Sequence, residues 1–143
     1  MPIVVVAHGK LKDRGLRALV DDYLARIRRY TRVDEVEVKS DLALSRALPA
    51  GATLIALEVD GAALSSRELS QKLGQWMSQG KGTLAFVIGG AEGIPAALSS
   101  AATFRLSLSP LTLPHRLARL ILVEQIYRGF TILKGEPYAR EDG

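Results

Sequence analysis

From Ile3 to Ala7 the chain is apolar at every position and mostly β-branched, and Thr53 to Val59 and Thr83 to Ile88 are further strand-like apolar runs. A strand that is hydrophobic throughout, rather than at alternate positions, is covered on both faces, as in a parallel sheet between layers of helices. The intervening segments carry helical spacing. Gly15 to Arg29 places Leu16, Leu19, Val20, Tyr23, Leu24 and Ile27 on one face. Val33, Val36 and Val38 mark a second strand. Asp41 to Leu48 reads as a short helix ended by Pro49 and Gly51, and Asp60-Gly61 as a turn closing the third strand.

Ser65 and Ser66 can cap a helix carrying Leu69, Leu73, Trp76 and Met77 that stops at Gly80. Pro95 to Ala101 is a short helix and Phe104 to Leu108 a fifth strand. Thr112 is placed to cap a last helix running from Arg116 to Lys134, with Pro114 in its first turn. The expected fold is therefore α/β: one domain over residues 1–143, with a mostly parallel sheet flanked by helices on both faces.

Composition removes several chemistries. There is no cysteine, so thiolate metal sites and cysteine nucleophiles are excluded, and two histidines, His8 and His115, are few for a zinc centre; no metal is expected. No apolar run approaches the ~20 residues of a membrane span. The start, Met-Pro-Ile-Val-Val-Val-Ala-His, lacks a basic leader region, so the expectation is a cytoplasmic protein with no membrane partner. The net charge is +4. Its cations cluster at Lys10, Lys12, Arg14 and Arg17, at Arg26, Arg28, Arg29 and Arg32, and at Arg116, Arg119, Arg128, Lys134 and Arg140. Such clusters suit a polyanion such as nucleic acid, or are solvated helix faces balanced by Asp13, Asp21 and Asp22.

Chemistry concentrates in the last third. Gly89-Gly90-Ala91-Glu92-Gly93 directly follows a buried strand. Its spacing fits neither the dinucleotide fingerprint nor a P-loop. It is a tight turn or a place where backbone approaches a ligand, and Glu92 favours a neutral or cationic one. Ser107 to Leu113 combines Ser107, Ser109 and Thr112 with leucine and proline, too apolar for an exposed loop. If it is buried, its backbone groups need partners, which a planar heterocycle such as adenine supplies; a simple turn packed on the core is the other reading. On the last helix Leu117, Leu120, Ile121, Leu122, Val123 and Ile126 cover more than one core stripe, which suggests a homodimer interface. Glu124 and Arg128, four apart, can pair, ordinarily as a surface pair of little energy. His115 is a polar contact or a catalyst.

Phe-Val-Ile-Gly-Gly-Ala-Glu-Gly at 86–93, Leu-Ser-Leu-Ser-Pro-Leu-Thr-Leu-Pro-His at 106–115 and Ile-Leu-Val-Glu-Gln-Ile-Tyr-Arg-Gly-Phe-Thr-Ile-Leu-Lys-Gly-Glu-Pro-Tyr at 121–138 occur in that order. Together they resemble the RlmH family, small SPOUT-type methyltransferases that modify pseudouridine in large-subunit ribosomal RNA. The resemblance implies a C-terminal trefoil knot, a homodimer, and S-adenosylmethionine held by Leu57, Gly89 and the run Leu108, Ser109, Pro110, Leu111, Thr112 and Leu113. It implies methylation of ring nitrogen 3 of a pseudouridine in the assembled ribosome, with His115, Glu124, Arg128 and Tyr138 around the base. Arg128 would stabilise charge on the ring oxygens, and His115, or else Tyr138, would take the imide proton. The family usually has a histidine after that tyrosine, where this chain has Ala139. Other readings are a related methyltransferase acting on a transfer-RNA ribose hydroxyl, a catalytically weakened ribosome-binding protein, and an unrelated nucleotide-binding domain.

Overall fold

A computed structural model describes residues 1–140. The first apolar run is β1 (Ile3–His8), joined in one sheet by β2 (Val33–Val38), β3 (Thr53–Ala63), β4 (Leu84–Ile88) and β5 (Phe104–Ser107). The strand order is β2-β1-β4-β3-β5 and every pairing is parallel. β4 is buried along its whole length between β1 and β3, which accounts for its unbroken hydrophobicity.

Successive strand residues point to opposite faces. Ile3, Val5 and Phe86 meet Leu24 of α1 (Arg14–Ile27), Leu73 of α3 (Ser66–Ser78) and Leu122 of α5 (His115–Leu133) on one side. Val4, Val6, Leu54 and Val87 meet Leu44 of α2 (Asp41–Arg46) and Leu98 of α4 (Ala96–Ala101) on the other. Helices thus cover both faces, as expected. Asp13 caps α1 by accepting the Leu16 amide at 2.9 Å. Ser65 opens α3 with a capping box closed by Glu68. The Ser66 hydroxyl instead donates to Gln125 Oε1 at 2.6 Å, tying α3 to α5.

Three local expectations are corrected. Asp60-Gly61 is not a turn: β3 continues to Ala63 through a bulge, and pairing with β5 resumes as Ala62–Leu106 and Ala63–Ser107. The bulge brings backbones so close that a Cβ on Gly61 would lie 2.7 Å from the Arg105 carbonyl oxygen, so glycine serves a sheet contact there. Thr112 does not cap the last helix. α5 begins at His115 with Pro114 in the cap position and no side-chain cap, the Pro114 carbonyl accepting the Leu117 and Ala118 amides at 3.0 Å. Lastly, β5 ends at Ser107, which leaves Leu108 to the following loop. The described residues end with a 3-10 turn, Pro137–Arg140, and no helix among them is long and apolar enough to cross a membrane.

Candidate functional site

Because all strands run in parallel, their carboxyl ends gather at one edge, where open α/β sheets form ligand crevices. A cavity of about 380 Å³ opens there beyond β3, β4 and β5, within the range of small-molecule sites. Leu57, Gly89, Leu108, Ser109, Leu111, Thr112 and Leu113 line it; Pro110 does not. His115 and Ala118 on the first turn of α5 complete that wall.

The glycine loop is shaped by close approach. A Cβ on Gly89 would overlap the Gly93 carbonyl, one on Gly90 would overlap the His8 imidazole, and Gly93 adopts a φ of 84°. The Gly93 amide donates to the Gly90 carbonyl at 3.0 Å, so the loop folds back on itself and presents backbone to the cavity. Tight-turn geometry and a binding wall are therefore the same feature. In the loop after β5 the Ser107 hydroxyl donates to the Ser109 carbonyl at 3.0 Å and the Leu111 amide to Ser109 Oγ at 2.9 Å. This loop is only partly buried: Leu108 packs against the core, while Leu111 is 73% exposed and stands as an open wall of the cavity.

Two carboxylates missed in the sequence, Glu58 and Asp60, also line the cavity. Arg105 holds both, at 2.7 Å and 2.8 Å, and the Ser99 hydroxyl donates to Glu58 Oε2 at 2.8 Å. Their place at the carboxyl end of a buried apolar run, inside the bulged part of β3, was the available signal, hidden by reading Asp60 as a turn residue. Glu92, expected as the acidic neighbour of a cationic ligand, is exposed and outside the cavity lining; Glu58 and Asp60 provide that negative charge. Burial, the Arg119 guanidinium and His8 all push the His115 pKa below its usual value, so the imidazole is neutral at pH 7. His115 Nε2 is buried with no hydrogen-bond partner among the described residues. A neutral imidazole on the wall of the cavity is a candidate proton acceptor.

Glu124, Arg128 and Tyr138 form a second group. Glu124 Oε2 accepts from Arg128 Nη2 and from Tyr138 Oη, each at 2.8 Å, and the Arg128 guanidinium lies 5.0 Å from the Tyr138 ring centre. The Glu124–Arg128 pair is not the exposed pair its spacing suggests: the side chains are only 18% and 15% exposed. Burial, then hydrogen bonds with Tyr23 and Glu124, raises the Tyr138 pKa, so its hydroxyl stays protonated. Within the chain these three do not meet His115. Nine residues of helix separate His115 from Glu124, about 13 Å of rise and half a turn of net rotation, which puts them on opposite faces of α5. Beside the trio an apolar groove of about 310 Å³ is lined by Leu19, Tyr23, Leu120, Ile121, Glu124 and Gln125.

A family model described as "Predicted SPOUT methyltransferase" matches residues 1–139. The chain belongs to the SPOUT methyltransferase family. Relatives share nearly its whole length. A Sorangium cellulosum protein named Ribosomal RNA large subunit methyltransferase H is 54% identical over 145 residues, covering 97% of this chain and 99% of the relative. One of the same name from Acetivibrio thermocellus is 38% identical over 159 residues, covering 98% and 100%. Among solved structures, a probable methylase family protein from Haemophilus influenzae Rd KW20 superposes with a TM-score of 0.54 at 12% identity, over 96% of this chain and 69% of that one. A structure concerned with 2-OH methylation on tRNA gives 0.51 at 18% identity, over 91% and 97%. These two share the fold of this chain.

Proposed function

We propose that this SPOUT methyltransferase uses S-adenosylmethionine to methylate ring nitrogen 3 of a pseudouridine in large-subunit ribosomal RNA, acting in the cytoplasm on the assembled ribosome as a homodimer. The observation that carries the reading is the cavity itself: glycine loop, post-β5 loop and His115 meet at the carboxyl edge of the sheet in a chain whose relatives are named for that RNA. The trefoil knot implied by the family belongs to the same reading.

The residues present fit the cofactor. Backbone of the glycine loop and of Leu108–Leu113 suits an adenine, Leu57 adds an apolar wall, and the carboxylates of Glu58 and Asp60 suit a cationic sulfonium. When bound, S-adenosylmethionine supplies an activated methyl group on a good leaving group. The chain must then orient the base and remove the imide proton. Neutral His115, on the cavity wall, takes that proton. Tyr138, already donating to Glu124, does not; it and Glu124 hold Arg128, whose charge stabilises the ring oxygens as the imide ionises.

His115 and the Glu124–Arg128 pair lie on opposite faces of α5, so a complete site needs two copies of the chain. The groove beside the trio, with Leu19 48% exposed, is the surface on which the second copy seats. Incubating the protein with methyl-labelled S-adenosylmethionine and ribosomes lacking the modification, then locating the label by digestion and mass spectrometry, tests the reading. Label on one pseudouridine is expected; label on a ribose hydroxyl, or none, overturns it.

A further inference from the structure

The structure sorts the cations that the sequence presents as undifferentiated clusters. Arg17, Arg26, Arg32, Arg105, Arg119 and Arg128 are all ion-paired to carboxylates of this chain. Lys10, Lys12, Arg14, Lys39 and Arg116 are exposed and make no ion pair among the described residues. These five all stand at the carboxyl edge of the sheet, in the loops after β1 and β2 and at the starts of α1 and α5.

Their placement is built, not incidental. His8 and Val38 end β1 and β2 in register, and the Gly9 amide donates to the Val38 carbonyl at 2.8 Å, so Lys10 and Lys39 emerge from adjacent strand ends. Leu11 is 6% exposed and its amide donates to Glu37 Oε2 at 2.8 Å. That anchor turns Lys10 and Lys12 outward on either side. Arg119, 1% exposed, donates to the Gly9 carbonyl at 3.1 Å and pairs with Glu35 at 2.7 Å and Glu37 at 2.6 Å, pinning the loop to α5 one turn beyond Arg116.

The same network cancels the opposing charge. Glu35 and Glu37 are neutralised by Arg17 and Arg119, and Asp13 is committed to capping α1. Burial alone would raise the Glu37 pKa, but the Leu11 amide and the two guanidiniums hold it below its usual value, so the pairing persists. The arc also borders the candidate active site: His8 packs against Gly90, Arg116 follows His115, and both Gly90 and His115 line the cavity.

We propose that Lys10, Lys12, Arg14, Lys39 and Arg116 form a phosphate-binding arc that seats the sugar-phosphate backbone of the folded RNA substrate beside the cofactor cavity. This rests on the reading that the substrate is RNA. Phosphate contacts position without reading sequence, and each one formed steepens the salt dependence of binding. The arc sets the register of the RNA, and the base is then selected in the cavity.

The test compares two surface triples of equal charge change. One combines Lys10→Gln, Lys12→Gln and Lys39→Gln; the other combines Arg29→Gln, Arg46→Gln and Lys81→Gln, exposed cations at the opposite edge of the sheet. Ribosome binding is measured by sedimentation at several salt concentrations without cofactor, after thermal melts show that both triples are folded. The arc triple should bind about tenfold or more weakly, with a log–log salt slope shallower by about two to three, while the opposite-edge triple matches wild type. Unchanged binding by the arc triple, equal losses in both triples, or no ribosome binding by wild type overturns the arc. Methyl transfer by wild type is read separately. A protein that binds through the arc but labels no RNA loses the proposed reaction and keeps the arc; one that labels RNA with the arc triple binding normally does the reverse.

Discussion

Tyr138 donates its phenolic hydrogen to Glu124 Oε2 at 2.8 Å, on the same oxygen that receives Arg128, so the 3-10 turn Pro137–Arg140 is locked to the middle of α5. The lock holds the Arg128 guanidinium against the Tyr138 ring. Arg128→Ala should therefore lower the methyl-transfer rate about 10²–10³-fold, the usual effect of deleting a charge-stabilising donor. Its dissociation constant for S-adenosylmethionine, measured by calorimetry, should stay within a few-fold of wild type. Equal losses in both would remove Arg128 from this role.

His115 gives a pH dependence of definite sign. Its folded-state pKa lies below the usual 6.5, so the unfolded chain binds the proton more readily. Stability is complete above about pH 6.5 and declines as pH falls through and below that value. Urea unfolding from pH 7 to pH 5 should show a smaller loss for His115→Asn than for wild type. In kinetics, the acid limb of kcat/KM should have a midpoint below 6.5 in wild type, and His115→Asn should abolish turnover while leaving cofactor binding intact.

Gly90 is required by His8. A methyl group at 90 overlaps the imidazole, and overpacking of this kind typically costs about 1–3 kcal/mol. Chemical denaturation of Gly90→Ala should show that loss, and adding His8→Ala should recover much of it by opening the space. A Gly90→Ala protein as stable as wild type would mean the loop shifts freely.

Seating of a second copy on the Leu19–Ile121 groove can be broken at one residue. Ile121→Glu should sediment as a monomer, bind S-adenosylmethionine, and transfer no methyl groups. If the site is shared between copies, mixing Arg128→Ala with His115→Asn should restore activity that neither has alone. Retained activity in the monomer would place the whole site within one chain.

Much of this was legible in the sequence because it is local. β-branched runs gave the strands, the serines Ser65 and Ser66 gave the start of α3, and glycines after β4 marked the cavity wall. The extension of β3 was not legible, since Asp60-Gly61 has turn chemistry and only pairing with Leu106 and Ser107 overrides it. Contacts between distant segments were equally hidden. His8 against Gly90, Arg105 on Glu58 and Asp60, and the full burial of Arg119 each join groups far apart in the chain. An arginine sunk to 1% exposure also runs against what its residue type predicts. The division of His115 from Glu124 and Arg128 between two faces of α5 follows once the helix phase is known, whereas Tyr138 joins them only through the 3-10 turn that follows.

The strand order has a consequence for how the protein comes into being. β1 and β3 do not pair with each other; β4 sits between them, and β5 joins only through β3. During synthesis the sole parallel pair available before residue 84 is β1 with β2, leaving the apolar edges of β1 and β3 without a neighbour. Closing the sheet then requires insertion of a late strand between two earlier ones, a non-local event that slows folding and exposes sticky edges meanwhile. Refolding should accordingly be slow for a chain of this size, and fragments that stop short of β4 should aggregate.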